Sequence, residues 1–140
     1  MAVAPLPQVR QVLEYGVSEI PPEKIFMGVP NYGYDWPLPY EPKRTQATNI
    51  GNQEAIQIAA RVGATIQYDE TAQSPFFTYT QNGVGHEVWF EDVRSIQAKY
   101  NLLDELKLLG SGYWNVMRPF AQNWTFLATR YHIKKFPVSE

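Results

Sequence analysis

Apolar side chains in residues 5–20, "PLPQVRQVLEYGVSEI", fall at Val9, Val12, Leu13 and Val17, a three-and-four spacing that predicts an amphipathic helix. Pro7 suits its first turn, where a missing N–H removes no bond, and Pro21 and Pro22 stop it. "KIFMGV" (24–29) is apolar without alternation, the signature of a strand buried on both faces. A proline then opens "PNYGYDWPLPY", read as a loop holding Tyr32, Tyr34, Trp36 and Tyr40.

Further on, "NQEAIQIAARVG" predicts a helix with Ile56, Ala59, Ala60 and Val62 on one face, Asn52 as its cap and Gly63 as a left-handed stop. Between residues 64 and 90 the character changes. "ATIQYDE", "FFTYT" and "HEVWFE" are rich in β-branched and aromatic residues, with a hairpin turn at "QNGVG" and Trp89 directed to the core of this region. From Asp92 a helical pattern returns: Val93, Ile96, Tyr100 and Leu103 share one face, Leu102, Leu106 and Leu109 a neighbouring one, and Gly110 ends the run. "SGYWNVM" reads as a second short buried strand, and "PFAQNWTFLATRYHI" as a last helix behind Pro119.

With the antiparallel region set aside, the order is α, β, α, β, α. Non-alternating strands flanked by amphipathic helices belong to a parallel sheet covered by helices, and two such strands make a poor one. A closed eight-stranded α/β barrel takes about 250 residues, more than the 140 present. The pattern therefore predicts an α/β fold: the C-terminal part of a (β/α)8 TIM barrel, its last two strands and flanking helices, with a small α+β insertion subdomain. Residues 1–40 would hold the barrel helix, seventh strand and aromatic loop, 41–90 the insertion, and 91–140 the barrel helix, eighth strand and last helix.

A net charge of −2 offers no field for nucleic acid, and no apolar run approaches the roughly 20 residues that span a bilayer. The opening "MAVAPLPQVR" lacks the basic and apolar segments of a signal peptide. Without cysteine, disulfides and thiolate metal sites are excluded; His86 and His132 lie too far apart for a metal pair and read as solvated or capping. No cofactor or metal is expected, and no G-x-G-x-x-G or P-loop pattern points to phosphate.

Three stretches, "KIFMGVPNYGYDWPLPY", "HEVWFEDVRSIQAKYNLLDELKLLGSGYWN" and "PFAQNW", resemble the C-terminal half of family 18 glycoside hydrolases, the chitinase-like barrels. Within them the chain is similar to the bacterial spore-cortex or peptidoglycan N-acetylglucosaminidases. At Tyr34 many chitinases have arginine, which aligns the chain with the peptidoglycan-type branch. The resemblance implies that Trp114 forms the floor under the reacting sugar and that Tyr32 lines the same subsite. It also implies a parent acting outside the cytoplasm, in the cell wall, in the spore or secreted. The family's chemistry depends on a D-x-x-D-x-D-x-E run, whose glutamate protonates the leaving oxygen while the substrate's N-acetyl group attacks the anomeric carbon. No such run occurs here.

The expected substrate-binding set is therefore Tyr32, Tyr34, Asp35, Trp36 and Trp114, with no catalytic residue. Each has a plainer reading: Trp114 as strand core, the tyrosines as loop cover, Asp35 as a turn residue, Trp36 as a lid. Glu70 is a further candidate for a substrate hydrogen bond, and Asp35 with Glu70 would make an independent retaining pair if about 5 Å apart. The expected function is the substrate-binding half of a glycosidase of β-1,4-linked N-acetylglucosamine polymers, inactive alone and completed by the N-terminal half of the barrel. A non-catalytic sugar-binding module and a self-associating fragment, for instance a homodimer joined through open strand edges, are the alternatives.

Overall fold

The computed structural model describes residues 1–134. Proline sets the start of α1 (Leu6–Glu19), with Pro5 at its cap. Its inward stripe is Leu6, Val9, Leu13 and Val17. Val12, read from its spacing as part of that stripe, is 69% exposed. A single 3-10 turn, Pro22–Lys24, leads into β1 (Phe26–Pro30).

The stretch read as an aromatic loop is a strand, β2 (Gly33–Leu38). Tyr32, Tyr34 and Trp36 recur at every second residue, which is the period of a strand. Short β3 (Thr48–Ile50) follows, then α2 (Asn52–Val62), β4 (Gln67–Asp69), β5 (Ser74–Gln81) and β6 (Val84–Trp89). These strands form a five-stranded antiparallel sheet in the order β3-β2-β6-β5-β4. The sheet thus begins at Gly33, ahead of residue 41. The β5–β6 hairpin closes through Asn82 (φ 51°) and Gly83 (φ 78°), both left-handed as a tight two-residue turn requires.

The face of α2 differs from the expected one: Ala55, Ile58 and Ala59 are buried, whereas Ala60 and Val62 are exposed. They pack on Phe77, Val88 and Phe90 to make one core. Asn52 is not the cap; Gly51 is, with the Glu54 carboxylate accepting its N–H, and Asn52 lies fully buried one residue inside. Gly63 (φ 68°) ends the helix as expected.

The chain then enters α3 (Val93–Glu105), β7 (Gly110–Trp114) and α4 (Ala121–Arg130). The α3 helix stops before Gly110, at a left-handed Lys107 (φ 55°), and Leu109 is exposed. Ile96, Tyr100, Leu102 and Leu103 pack with Met27, Val29 and Leu127 into the second core. Strands β1 and β7 pair in parallel, Phe26 with Gly110 through Pro30 with Trp114. The α/β fold is as expected. The pair is not buried on both faces, however: Met27 and Val29 are covered by helices, but Phe26 is 62% and Trp114 73% exposed. That side is open at its two central glycines: a Cβ added at Gly28 or Gly112 would meet no atom within 4 Å.

Asp92 caps α3, accepting from the Arg94 and Ser95 N–H groups at 2.9 and 3.1 Å while the Ser95 hydroxyl accepts from the Asp92 N–H. Asp92→Ala is expected to cost about 1 kcal/mol. A thermal melt should read this as a drop of roughly 3–5 °C.

Candidate functional site

Both parallel strands run toward the same end, where β1 delivers Asn31 and Tyr32 and β7 delivers Trp114. There a groove of about 480 Å³ opens between them, lined by Gly28, Pro30, Tyr32, Gly112 and Trp114, with Val3 and Ala4 on its rim. Of the expected set, Tyr32 and Trp114 are brought together here. The Tyr32 phenol is half-buried, and burial beside Tyr34 pushes its pKa upward, so it stays a neutral donor.

From this groove an aromatic row leads out along β2: Tyr32 to Tyr34 at 5.7 Å, Tyr34 to Trp36 and Trp36 to Tyr40 at 5.6 Å, each edge to face. Trp89, which pairs with Tyr34, stacks on Phe76 at 4.7 Å on the same sheet face; it is only partly buried and is not a core residue. The Trp36 indole donates to the Met1 carbonyl at 3.0 Å, and the Trp89 indole to Glu87 at 2.6 Å. The face is thus apolar in its ring surfaces and polar at their edges, which suits the two sides of a sugar ring.

Asp35 points the other way. Strand alternation turns it to the opposite face of the sheet, where its carboxylate accepts from the Tyr79 hydroxyl at 2.6 Å and sits 2.8 Å from His86 Nδ1. His86 is half-buried and stacked on Tyr79 at 4.6 Å, so it is neither solvated nor a cap. Burial, then the Asp35 carboxylate, pushes the Tyr79 phenol well above its ordinary range. With both oxygens engaged, Asp35 serves the sheet rather than the groove.

Glu70 follows β4, three strand spacings from β2, or about 14 Å. The retaining pair of Asp35 and Glu70, which needs about 5 Å, is therefore excluded. Among the described residues no cluster of His, Asp or Glu could hold a metal ion, and no helix is long and apolar enough to cross a membrane.

Sequence reasoning missed Asn31. It is fully buried behind the groove and donates from Nδ2 to the Asn115 and Arg118 carbonyls at 2.8 and 2.9 Å. An asparagine after a proline reads as a turn residue, and nothing local distinguishes a buried amide from one.

A groove at the C-terminal ends of parallel strands, walled by aromatics with polar edges, is where α/β proteins of this kind hold a ligand. The chain belongs to glycosyl hydrolases family 18, which it matches over residues 4–118. It is 51% identical over 135 residues to the cortical fragment-lytic enzyme of Bacillus subtilis, covering 96% of this chain and 31% of that protein. It is 27% identical over 121 residues to the di-N-acetylchitobiase of Homo sapiens, covering 73% of this chain and 31% of that protein. The crystal structure of the Bacillus megaterium spore cortex-lytic enzyme SleL superimposes with a TM-score of 0.92 at 53% identity, covering 98% of this chain and 32% of that one. The chain thus spans about a third of the length of the curated relatives it matches. The resemblance to the spore-cortex branch of the family is borne out.

Proposed function

We propose that the chain is the C-terminal part of a (β/α)8-barrel glycosidase acting on β-1,4-linked N-acetylglucosamine polymers of the peptidoglycan or cortex type. In this reading β1 and β7 are the seventh and eighth barrel strands, and the antiparallel sheet with α2 is the insertion that walls the cleft. Trp114 is the floor under the sugar and Tyr32 its lining, with Tyr34 and Trp36 continuing the wall outward. The general acid lies on the N-terminal half of the barrel, and the parent works outside the cytoplasm, in the cell wall or spore. The observation that carries the reading is the uncovered face of β1 and β7, where Phe26 and Trp114 stand exposed above open space at Gly28 and Gly112. A barrel interior closed by six further strands would cover it.

The test compares hydrolysis of a fluorogenic N-acetylglucosamine oligomer and of peptidoglycan by this chain and by the same chain joined to the upstream half of a family relative. Activity is expected only in the joined protein. Trp114→Ala in the joined protein is expected to weaken sugar binding about tenfold, the scale of one aromatic contact. Hydrolysis by the 140-residue chain alone would overturn the assignment of the acid to the other half.

The same open face and the outer edges of β1 and β7, unpaired among the described residues, favour a second outcome for the chain by itself, association with another copy. Sedimentation is expected to show a concentration-dependent dimer; a monomer at every concentration would remove that reading.

A further inference from the structure

Behind the groove runs a line of fully buried polar side chains that the sugar-contacting residues do not include. Asn31, Asn52, Glu91 and Lys99 are each at most 1% exposed. Four polar side chains taken out of water must have partners, and here they find them in one another and in the adjoining backbone. Both carboxylate oxygens of Glu91 accept from Lys99 Nζ, at 3.0 and 2.9 Å, and one accepts from the Ser95 hydroxyl at 2.5 Å. The Glu91 backbone N–H donates to Asn52 Oδ1 at 2.9 Å. Asn52 Nδ2 in turn lies 3.5 Å from Asn31 Oδ1.

The line ends on the backbone that carries Trp114. The Asn31 N–H donates to the Trp114 carbonyl at 2.8 Å, and its Nδ2 donates to the carbonyls of Asn115 at 2.8 Å and Arg118 at 2.9 Å. One residue therefore grips the peptide on the C-terminal side of Trp114 and the far end of the turn after it. The orientation of the amide is fixed by its surroundings, because a reversed amide would set its oxygen against two carbonyl oxygens. Tyr32, the adjacent residue, lines the groove itself. Trp114, by contrast, is 73% exposed and has little side-chain packing of its own to hold it.

We infer that Asn31 is a positioning residue for the aromatic floor: anchored through Asn52 to the Glu91–Lys99 pair, it sets the direction in which Trp114 faces the sugar. The inference rests on the reading of Trp114 as a sugar platform. Removing the amide takes the side-chain donor from two partly buried carbonyls. The turn from Trp114 to Arg118 then gains freedom while both hydrophobic cores keep their contacts.

The test uses the 15N-labelled chain, whose four tryptophans give separate indole N–H resonances. In Asn31→Ala the Trp114 signal is expected to shift or broaden, while those of Trp89 and Trp124 stay in place. Titration with the N-acetylglucosamine trisaccharide should give affinity about tenfold weaker than wild type, the scale of one lost hydrogen bond. Asn52→Ala removes the support one step back and should move the same signal less. An unmoved Trp114 signal in either folded variant overturns the inference. Should Asn31→Ala fail to fold, Asn52→Ala decides, together with exchange of the Asn31 side-chain amide protons in the wild-type chain. Those protons are expected to exchange far more slowly than exposed amides, and exposed-amide rates would overturn the inference. A wild-type Trp114 signal untouched by the trisaccharide would defeat the platform reading while leaving the positioning result to stand or fall on the indole shifts.

Discussion

Lys99→Met is expected to destabilise the chain by about 3–5 kcal/mol, the usual cost of stripping one partner from a buried ion pair. The side chains of Lys99 and Glu91 are 0% and 1% exposed, so no water replaces the lost ammonium. Burial already pushes the Glu91 carboxyl above its ordinary range, and the Lys99 charge and the Ser95 hydroxyl oppose that push. Without Lys99 the upward push is unopposed except by Ser95. A carboxyl whose folded pKa is raised stabilises the fold while it is protonated, below its unfolded value, and that contribution is lost as pH rises through the folded value. The variant should therefore lose most stability in neutral buffer and recover part of it under mildly acidic conditions. Urea denaturation at both conditions reads the difference. Lys99→Met combined with Glu91→Leu should recover stability in neutral buffer, because no lone charge remains. Equal midpoints for wild type and Lys99→Met would mean that the pair contributes nothing.

The sequence reading did not find this pair. Lys99 falls among Ile96, Tyr100 and Leu103 on the inward face of α3 but was not singled out from the sequence, and its partner precedes the helix, so only the fold brings them together. Helices, hairpin and parallel strands were legible because periodicity and turn chemistry are local. The β2 strand was read as a loop because a proline opens the stretch, although Tyr32, Tyr34 and Trp36 alternate with the period of a strand. Strand alternation also decides the site: it sends the tyrosines and Trp36 to one face and Asp35 to the other, a separation that a loop reading cannot make. Asn31 and Asn52 were illegible because a buried amide is defined by its partners, and theirs lie 21 to 87 residues away.

Gly33→Ala is the second large effect, and its cause is steric. Gly33 opens β2 beside Ile50 of β3, in ordinary backbone geometry, so the glycine is not there for its conformational freedom. Its place is set by β6: an added Cβ would fall inside contact distance of the Trp89 carbonyl oxygen and lie 2.8 Å from the Phe90 Cβ. Phe90 is 1% exposed in the core against α2 and cannot retreat. The strands must separate locally, at a cost of about 3 kcal/mol. A thermal melt should fall by roughly 10 °C. Because Tyr34 pairs with Trp89 across the same join, the aromatic row should shift with it. Gly28→Ala supplies the contrast: its Cβ meets nothing within 4 Å, so stability should hardly change, but the methyl projects into the groove that Trp114 also lines. It should weaken trisaccharide binding without lowering the melting temperature. If both variants lost the same stability, the close approach of β2 to β6 would not be what reserves residue 33 for glycine.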